Sequence, residues 1–186
     1  MPVLSPGQPC KEVVLRDGRK VVLRAPAWRD LDGLLTFISE LVEERAEILR
    51  TTKPSRGEEA EWLGRRLAAI EKGSLAALVA EMDGQIVANS EVEQRTQFPE
   101  MSHVGYLGIG ILKNCRGIGL GTTLMESLIH LAKQLGLRII ILDMLATNTV
   151  ARGLYEKVGF VEVGKIPKTI NRDRKYIDLI RFAIEI

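Results

Sequence analysis

Apolar positions along the chain follow two periods. Short runs at residues 13–16 and 19–23 flank Asp17-Gly18, and runs at 77–82 and 85–90 flank Asp83-Gly84. A dipeptide that tolerates positive φ between two β-prone runs predicts a hairpin with a two-residue turn at each place. Between the hairpins the period lengthens. Leu31, Leu34, Leu35, Ile38, Leu41 and Val42 recur at helical spacing behind Asp30, a candidate N-cap. Ser55 and Glu58 have capping-box spacing and open a second helix whose Leu63, Leu67 and Ile70 share a face.

After a polar link at 95–102 comes an apolar strand at about 104–112, then a Gly-rich stretch at 114–121. A helix follows with Leu120, Leu124, Leu128, Leu131 and Leu135 in one stripe, ended by Gly136. A buried strand is predicted at 138–144. Behind Asn148, a short helix carries Ala151, Leu154, Tyr155 and Val158 and closes at Gly159. Two last strands fit 160–166 and 175–184, with a turn near 171–173. The order predicts an α/β fold of the α+β type: a single mixed, mostly antiparallel sheet of about seven strands with helices on both faces.

Composition narrows the function. Lys and Arg total 26 against 24 Asp and Glu, a net charge of +2, which gives no broad electrostatic case for nucleic acid. Two cysteines and two histidines make neither a disulfide framework nor a metal kit, so no metal is expected. The most apolar run, residues 139–142, stops at Asp143, too short for a bilayer, and the N-terminus lacks the pattern of a signal peptide. These features predict a cytoplasmic protein with no membrane partner.

The informative stretch is Arg116-Gly117-Ile118-Gly119-Leu120-Gly121-Thr122, which joins a strand to the start of an amphipathic helix. Glycines let the backbone approach a bound group, the helix start offers unpaired N–H donors, and Arg116 suits phosphate oxygens. The plain alternative is a tight corner with no ligand. As a phosphate site it is no P-loop, because no Gly-Lys-Ser/Thr follows. It is a poor dinucleotide fingerprint, because Thr122 stands where the third glycine belongs and too little chain remains for a doubly wound sheet.

Arg116-x-x-Gly119-x-Gly121 resembles instead the acetyl-CoA pyrophosphate loop of the GNAT superfamily of N-acetyltransferases. A second hallmark of that family is similar to Asn148, Ala151, Leu154-Tyr155 and Gly159-Phe160 downstream. The resemblance runs from about residue 19 to the C-terminus, making 19–186 an N-acetyltransferase domain and 1–18 an extension with the first hairpin strand. It implies acetyl-CoA as acetyl donor. Backbone groups of Ile109 and Ile111, either side of Gly110, would pair with the pantetheine arm. Amides from Arg116 through Gly117, Ile118, Gly119, Leu120 and Gly121 to Thr122 would hold the pyrophosphate. Asn148 would lie near the thioester and Tyr155 near the sulfur. A phenol of pKa about 10 can protonate a departing thiolate, the role expected of Tyr155; a packed core tyrosine is its alternative. Asn148 equally suits a helix N-cap.

The base that takes the amine's proton is expected at Glu91 or Glu93, which share a strand face, with His103 and Asp143 as lesser candidates; each is also an ordinary surface or strand residue. Lys165, Lys168, Arg172, Arg174 and Lys175 cluster at the last turn, either as a solvated loop or steering an acidic group. The expected partner is an amine acceptor, favouring a small molecule over a protein N-terminus or lysine. A non-catalytic acyl-CoA sensor is the alternative of another class. The resemblance implies a monomer or homodimer.

Overall fold

The turn dipeptides make hairpins of more than one kind. In the computed structural model, which describes residues 3–186, Asp83 and Gly84 both take positive φ (50° and 78°). They join β3 (Leu75–Met82) to β4 (Gln85–Gln94) by the expected two-residue turn, with Met82 opposite Gln85. Asp17-Gly18 does otherwise. Only Gly18 is left-handed, at φ 86°, and the loop between β1 (Pro9–Val14) and β2 (Lys20–Arg24) is longer than two residues. The cause is local: the Asp17 carboxylate accepts from the Arg19 amide at 3.2 Å and from Arg19 Nε at 2.6 Å, an arrangement that competes with the tight turn. At the far end, Asp173 and Arg174 form a glycine-free two-residue turn between β7 (Val161–Arg172) and β8 (Lys175–Glu185).

The helices α1 (Leu31–Glu43), α2 (Arg56–Glu71), α3 (Leu120–Gln134) and α4 (Thr149–Lys157) stand close to their expected places. The predicted capping box forms: Ser55 Oγ accepts from the Glu58 amide at 3.2 Å, and Glu58 Oε2 accepts from the Ser55 amide at 2.7 Å. Asp30 sits at the N-cap of α1, but its carboxylate does not cap that helix. It accepts two bonds of 2.7 Å from the Arg24 guanidinium, both side chains being buried, and a third from the Ala27 amide. A bidentate charged donor outcompetes a helix amide for the same oxygens.

Among the described residues eight strands form one sheet in the order β1-β2-β3-β4-β5-β6-β8-β7, with β5 (Val104–Ile111) and β6 (Ile139–Leu145) the only parallel pair there. Successive residues of β5 face opposite sides. A Cβ on Gly110 would lie 3.1 Å from Leu41 and 3.2 Å from Phe37, which puts α1 on that face, and Arg66 of α2 meets Glu91 and Glu93 there. Ile111 faces the other way, toward α3 and α4, where Gly121 is close to both Ile111 and Leu154. The core accordingly has two layers, Leu34 and Leu63 on one side and Leu120, Leu124 and Leu128 on the other.

One irregularity shapes the centre of the sheet. β5 and β6 pair only at Val104 with Ile139, Gly105 with Ile140 and Tyr106 with Ile141. Beyond that point β5 continues to Ile111 against β4, and β6 continues to Leu145 against β8. The sheet therefore splits between its two central strands. Removing one partner of a buried pair strands the other charge, so Asp30→Ala should cost about 3 kcal/mol or more in urea unfolding. A loss below about 1 kcal/mol would show that Arg24 is satisfied by Glu81 alone.

Candidate active site

A cavity of about 490 Å³ fills the split and passes through the sheet, from Leu154 and Tyr155 on the α4 side to Leu41 and Ile48 at the end of α1. Its edge is polar backbone. The Leu112 amide donates to the Val87 carbonyl at 2.9 Å, toward β4. By the alternation of an antiparallel ladder, the amides of Ile109 and Ile111 and the carbonyl of Ile109 point into the split. The Ile111 carbonyl is already taken by Arg116 Nε at 2.8 Å.

Past this edge the chain turns through Gly117 (φ 76°) and Gly119 (φ 99°) into α3. Among the described residues, none of the amides from Gly117 to Thr122 donates to a protein acceptor; the first helical bond at this end runs from Thr123 to the Gly119 carbonyl. Six unpaired N–H groups at a helix start form an anion cradle. Gly121 has no room for a side chain, since a Cβ would lie 2.9 Å from Leu154. Two cations missed in the sequence also line the cavity. Arg16 comes from the first hairpin loop and lies against Gly119, and Lys157 donates to Thr122 Oγ1 at 3.3 Å. Lys157 is adjacent in the chain to the recognised Leu154-Tyr155 stretch and was legible by proximity; Arg16 carries no local signal.

The other predicted residues divide. The Arg116 guanidinium lines the cavity but pairs with Glu44 at the C-terminal end of α1, so it clasps that helix to the loop as well as adding charge. Asn148 also lines the cavity and caps α4, its Oδ1 accepting from the Ala151 amide at 3.1 Å. Tyr155 is 7% exposed, tilted against Phe160 and Phe182 with ring centroids 6.2 and 6.0 Å away. Its hydroxyl has no protein partner among the described residues, and burial pushes the phenol up to about 12, so it stays protonated at neutral pH.

Glu91 and Glu93 do not line this cavity; they lie on the α1 and α2 face beside it. Glu93 accepts from Arg66 Nη1 at 2.7 Å. Glu91 lies 3.3 Å from Arg66 Nε without hydrogen-bond geometry, and its Oε2 is buried with no partner among the described residues. Burial pushes the Glu91 carboxyl above the usual range, Arg66 opposing and the charge of Glu93 adding. Gly108, opposite Glu91, has open space where a side chain would stand. His103 is exposed at the start of β5, apart from the cavity. Asp143 is committed to Arg181, at two distances of 2.8 Å, and to the Tyr106 hydroxyl at 2.9 Å, and Arg181 foremost holds it below the ordinary carboxylate range. The basic cluster is not simply a solvated loop. Arg172 donates to the carbonyls of Ala46 and Ile48, tying the last turn to the chain beyond α1, and Lys165 pairs with Asp178.

A sheet split at its centre, an edge of inward amides and a helix-start cradle form one elongated cavity whose donors suit a long ligand with an anionic end. Residues 38–160 match the acetyltransferase (GNAT) family, and the chain belongs to that family. It is 26% identical over 160 residues to the "Putative phosphinothricin acetyltransferase YwnH" of Bacillus subtilis (strain 168), covering 86% of this chain and 95% of that one. The crystal structure of ribosomal-protein-alanine N-acetyltransferase from Brucella melitensis superposes with a TM-score of 0.78 at 26% identity, over 88% of this chain and 99% of that one. A phosphinothricin acetyltransferase from Sinorhizobium meliloti in complex with AcCoA has a TM-score of 0.78 at 19% identity, over 89% and 88%, a likeness of fold.

If the cradle holds a pyrophosphate, Gly119→Asp should abolish binding of CoA, because it adds bulk and negative charge and strains a left-handed position. Isothermal titration with CoA checks this. An unchanged affinity in a folded variant would contradict the assignment.

Proposed function

We propose that the protein transfers the acetyl group of acetyl-CoA to the primary amine of a small molecule by direct attack. The observation that carries this reading is the continuity of the cavity, from the unpaired amides of Gly117 to Thr122, along the inward amides of Ile109 and Ile111, to a buried phenol at Tyr155. These groups suit, in order, a pyrophosphate, the amides of a pantetheine arm and a sulfur. Acetyl-CoA supplies an activated acyl carbon and a thiolate leaving group.

In this reading the chain's residues divide the work. Ile109 and Ile111 take the pantetheine arm as if it were a strand, and the amides from Gly117 to Thr122, with the side chains of Arg116, Arg16 and Lys157, hold the phosphates. The Arg116 amide, expected among these donors, is instead taken by the Lys113 carbonyl at 3.3 Å. Asn148 borders the thioester end. The amine enters from the open face over Gly108, gives its proton to a base and forms a bond to the acyl carbon as the carbon–sulfur bond breaks. Tyr155 delivers its proton to the departing sulfur. Of the two candidate bases, Glu91 is favoured over Glu93, because Glu93 accepts a hydrogen bond from Arg66 while the buried Glu91 oxygen 3.3 Å from Arg66 accepts none. A small-molecule acceptor is supported by the relative named for phosphinothricin; the Brucella protein, named for a ribosomal-protein alanine, supports a protein acceptor as the second reading.

Tyr155→Phe should lower kcat by about 10²–10⁴-fold with little change in the KM for acetyl-CoA. Equal kcat values would leave Tyr155 only a packing role. A base works when deprotonated, so activity should rise with pH through the Glu91 pKa, on a limb lying above the ordinary ~4.3 because burial raises that group. Glu91→Gln should remove the limb; a profile with the same limb would assign the base elsewhere.

A further inference from the structure

On the α1 and α2 face, next to the split, two guanidiniums, Arg95 and Arg181, lie against the Tyr106 ring, and Arg66 stands on the same face. Arg66 is engaged by Glu91 and Glu93, and Arg181 by Asp143. Arg95 is different. Its guanidinium carbon lies 4.4 Å from the centroid of the Tyr106 ring, and it forms no ion pair among the described residues. Its amide is fixed to the Val104 carbonyl at 3.1 Å, and it continues the alternation of Glu91 and Glu93, so it belongs to their face. A second cavity, about 400 Å³, lies against it, lined by Glu93, Gln94, Arg95, Thr96, Gln97 and Tyr106.

We propose that Arg95, held flat on Tyr106, receives a carboxylate of the acceptor, so that the acceptor is a small amine that carries its own carboxylate, such as a free α-amino acid. The nearby carboxylates are otherwise taken, Glu93 by Arg66 and Asp143 by Arg181 and Tyr106, which leaves the Arg95 donors available to a ligand. Stacking fixes the plane of the guanidinium, and a fixed plane favours two parallel bonds to one carboxylate over a bond to a neutral group. Tyr106 is two residues along β5 from Gly108, about 7 Å, within the span of a small molecule whose amine lies at the split. A polypeptide N-terminus has no carboxylate beside its amine, so the same group distinguishes free amino acids from proteins. This inference rests on the proposed acetyl transfer.

The test compares matched acceptors with acetyl-CoA, following thiol release: L-methionine against 3-(methylthio)propylamine, L-phenylalanine against phenethylamine, L-ornithine against putrescine, together with phosphinothricin. The wild type should prefer the carboxylated member of a pair. Arg95→Ala should raise its KM by about 10- to 100-fold while leaving the KM of acetyl-CoA and the melting midpoint unchanged, and Arg95→Lys should restore part of the loss. Equal use of decarboxylated amines, or an unaltered preference in Arg95→Ala, would overturn the role of Arg95 while leaving acetyl transfer intact. Binding of acetyl-CoA with acetylation of none of these amines would overturn the inference together with the small-molecule acceptor. Absence of acetyl-CoA binding would instead defeat the proposed function itself.

Discussion

The structure turns on the parting of β5 and β6. Each strand keeps its outer partner, β4 or β8, for its full length, while the inner pairing ends at Tyr106 and Ile141. The network of Tyr106, Asp143 and Arg181 stands at the point of parting and ties three strands together, so the split begins at a fixed place. An opened sheet has an energetic consequence. Buried backbone amides without partners are costly, and the inward groups of Ile109 and Ile111 are an internal strand edge. A ligand with alternating amides would complete the ladder that the sheet leaves open. The candidate site is thus a defect in the pairing, surrounded by an otherwise continuous sheet.

The same split feeds two chemically distinct ends. Toward α3 the chain spends glycine at Gly117, Gly119 and Gly121 to present N–H groups, and places Arg16, Arg116 and Lys157 around them. Toward α1 and α2 the sheet face is a dense polar cluster in which acids and guanidiniums are matched, apart from Arg95. Tyr155 lies between hydrophobic rings on the other side of the sheet, where burial keeps the phenol in its protonated form. In the proposed reading a charged end, a neutral acid and a polar acceptor face beside the cavity are kept apart, so that each step meets its own electrostatics. The segment from Glu44 to Ile48 closes the cavity on one side, and it is held by Arg116 and Arg172 from distant parts of the chain.

What the sequence made legible is what depends on neighbours in the chain. The Ser55 and Glu58 box, the Asp83-Gly84 turn, the glycine loop and the Asn148 cap each need only a few adjacent residues, and each is found where expected. Side chains with long-range partners differ from what their local sequence suggests. Asp30 reads as a cap until Arg24, across the strand-to-helix corner, claims its carboxylate. Arg172 reads as a loop charge, yet it anchors carbonyls more than 120 positions away. Arg16 and Glu44 reach the cavity region only because the sheet and α1 bring them there. The parting of β5 and β6 leaves no mark in hydrophobic periodicity, because both strands stay mostly apolar beyond it, Asp143 excepted.

In the proposed reading Ile109 and Ile111 offer unpaired amides to a cofactor arm, while Gly110 and Leu112 already face β4. Amide hydrogen exchange measured residue by residue, with and without acetyl-CoA, tests this most directly. Exchange at Ile109 and Ile111 should slow on binding, along with the amides of Gly117 to Thr122, while Gly110 and Leu112 change little. Protection confined to the glycine loop, with Ile109 and Ile111 exchanging as before, would contradict the claim that the cofactor completes the sheet.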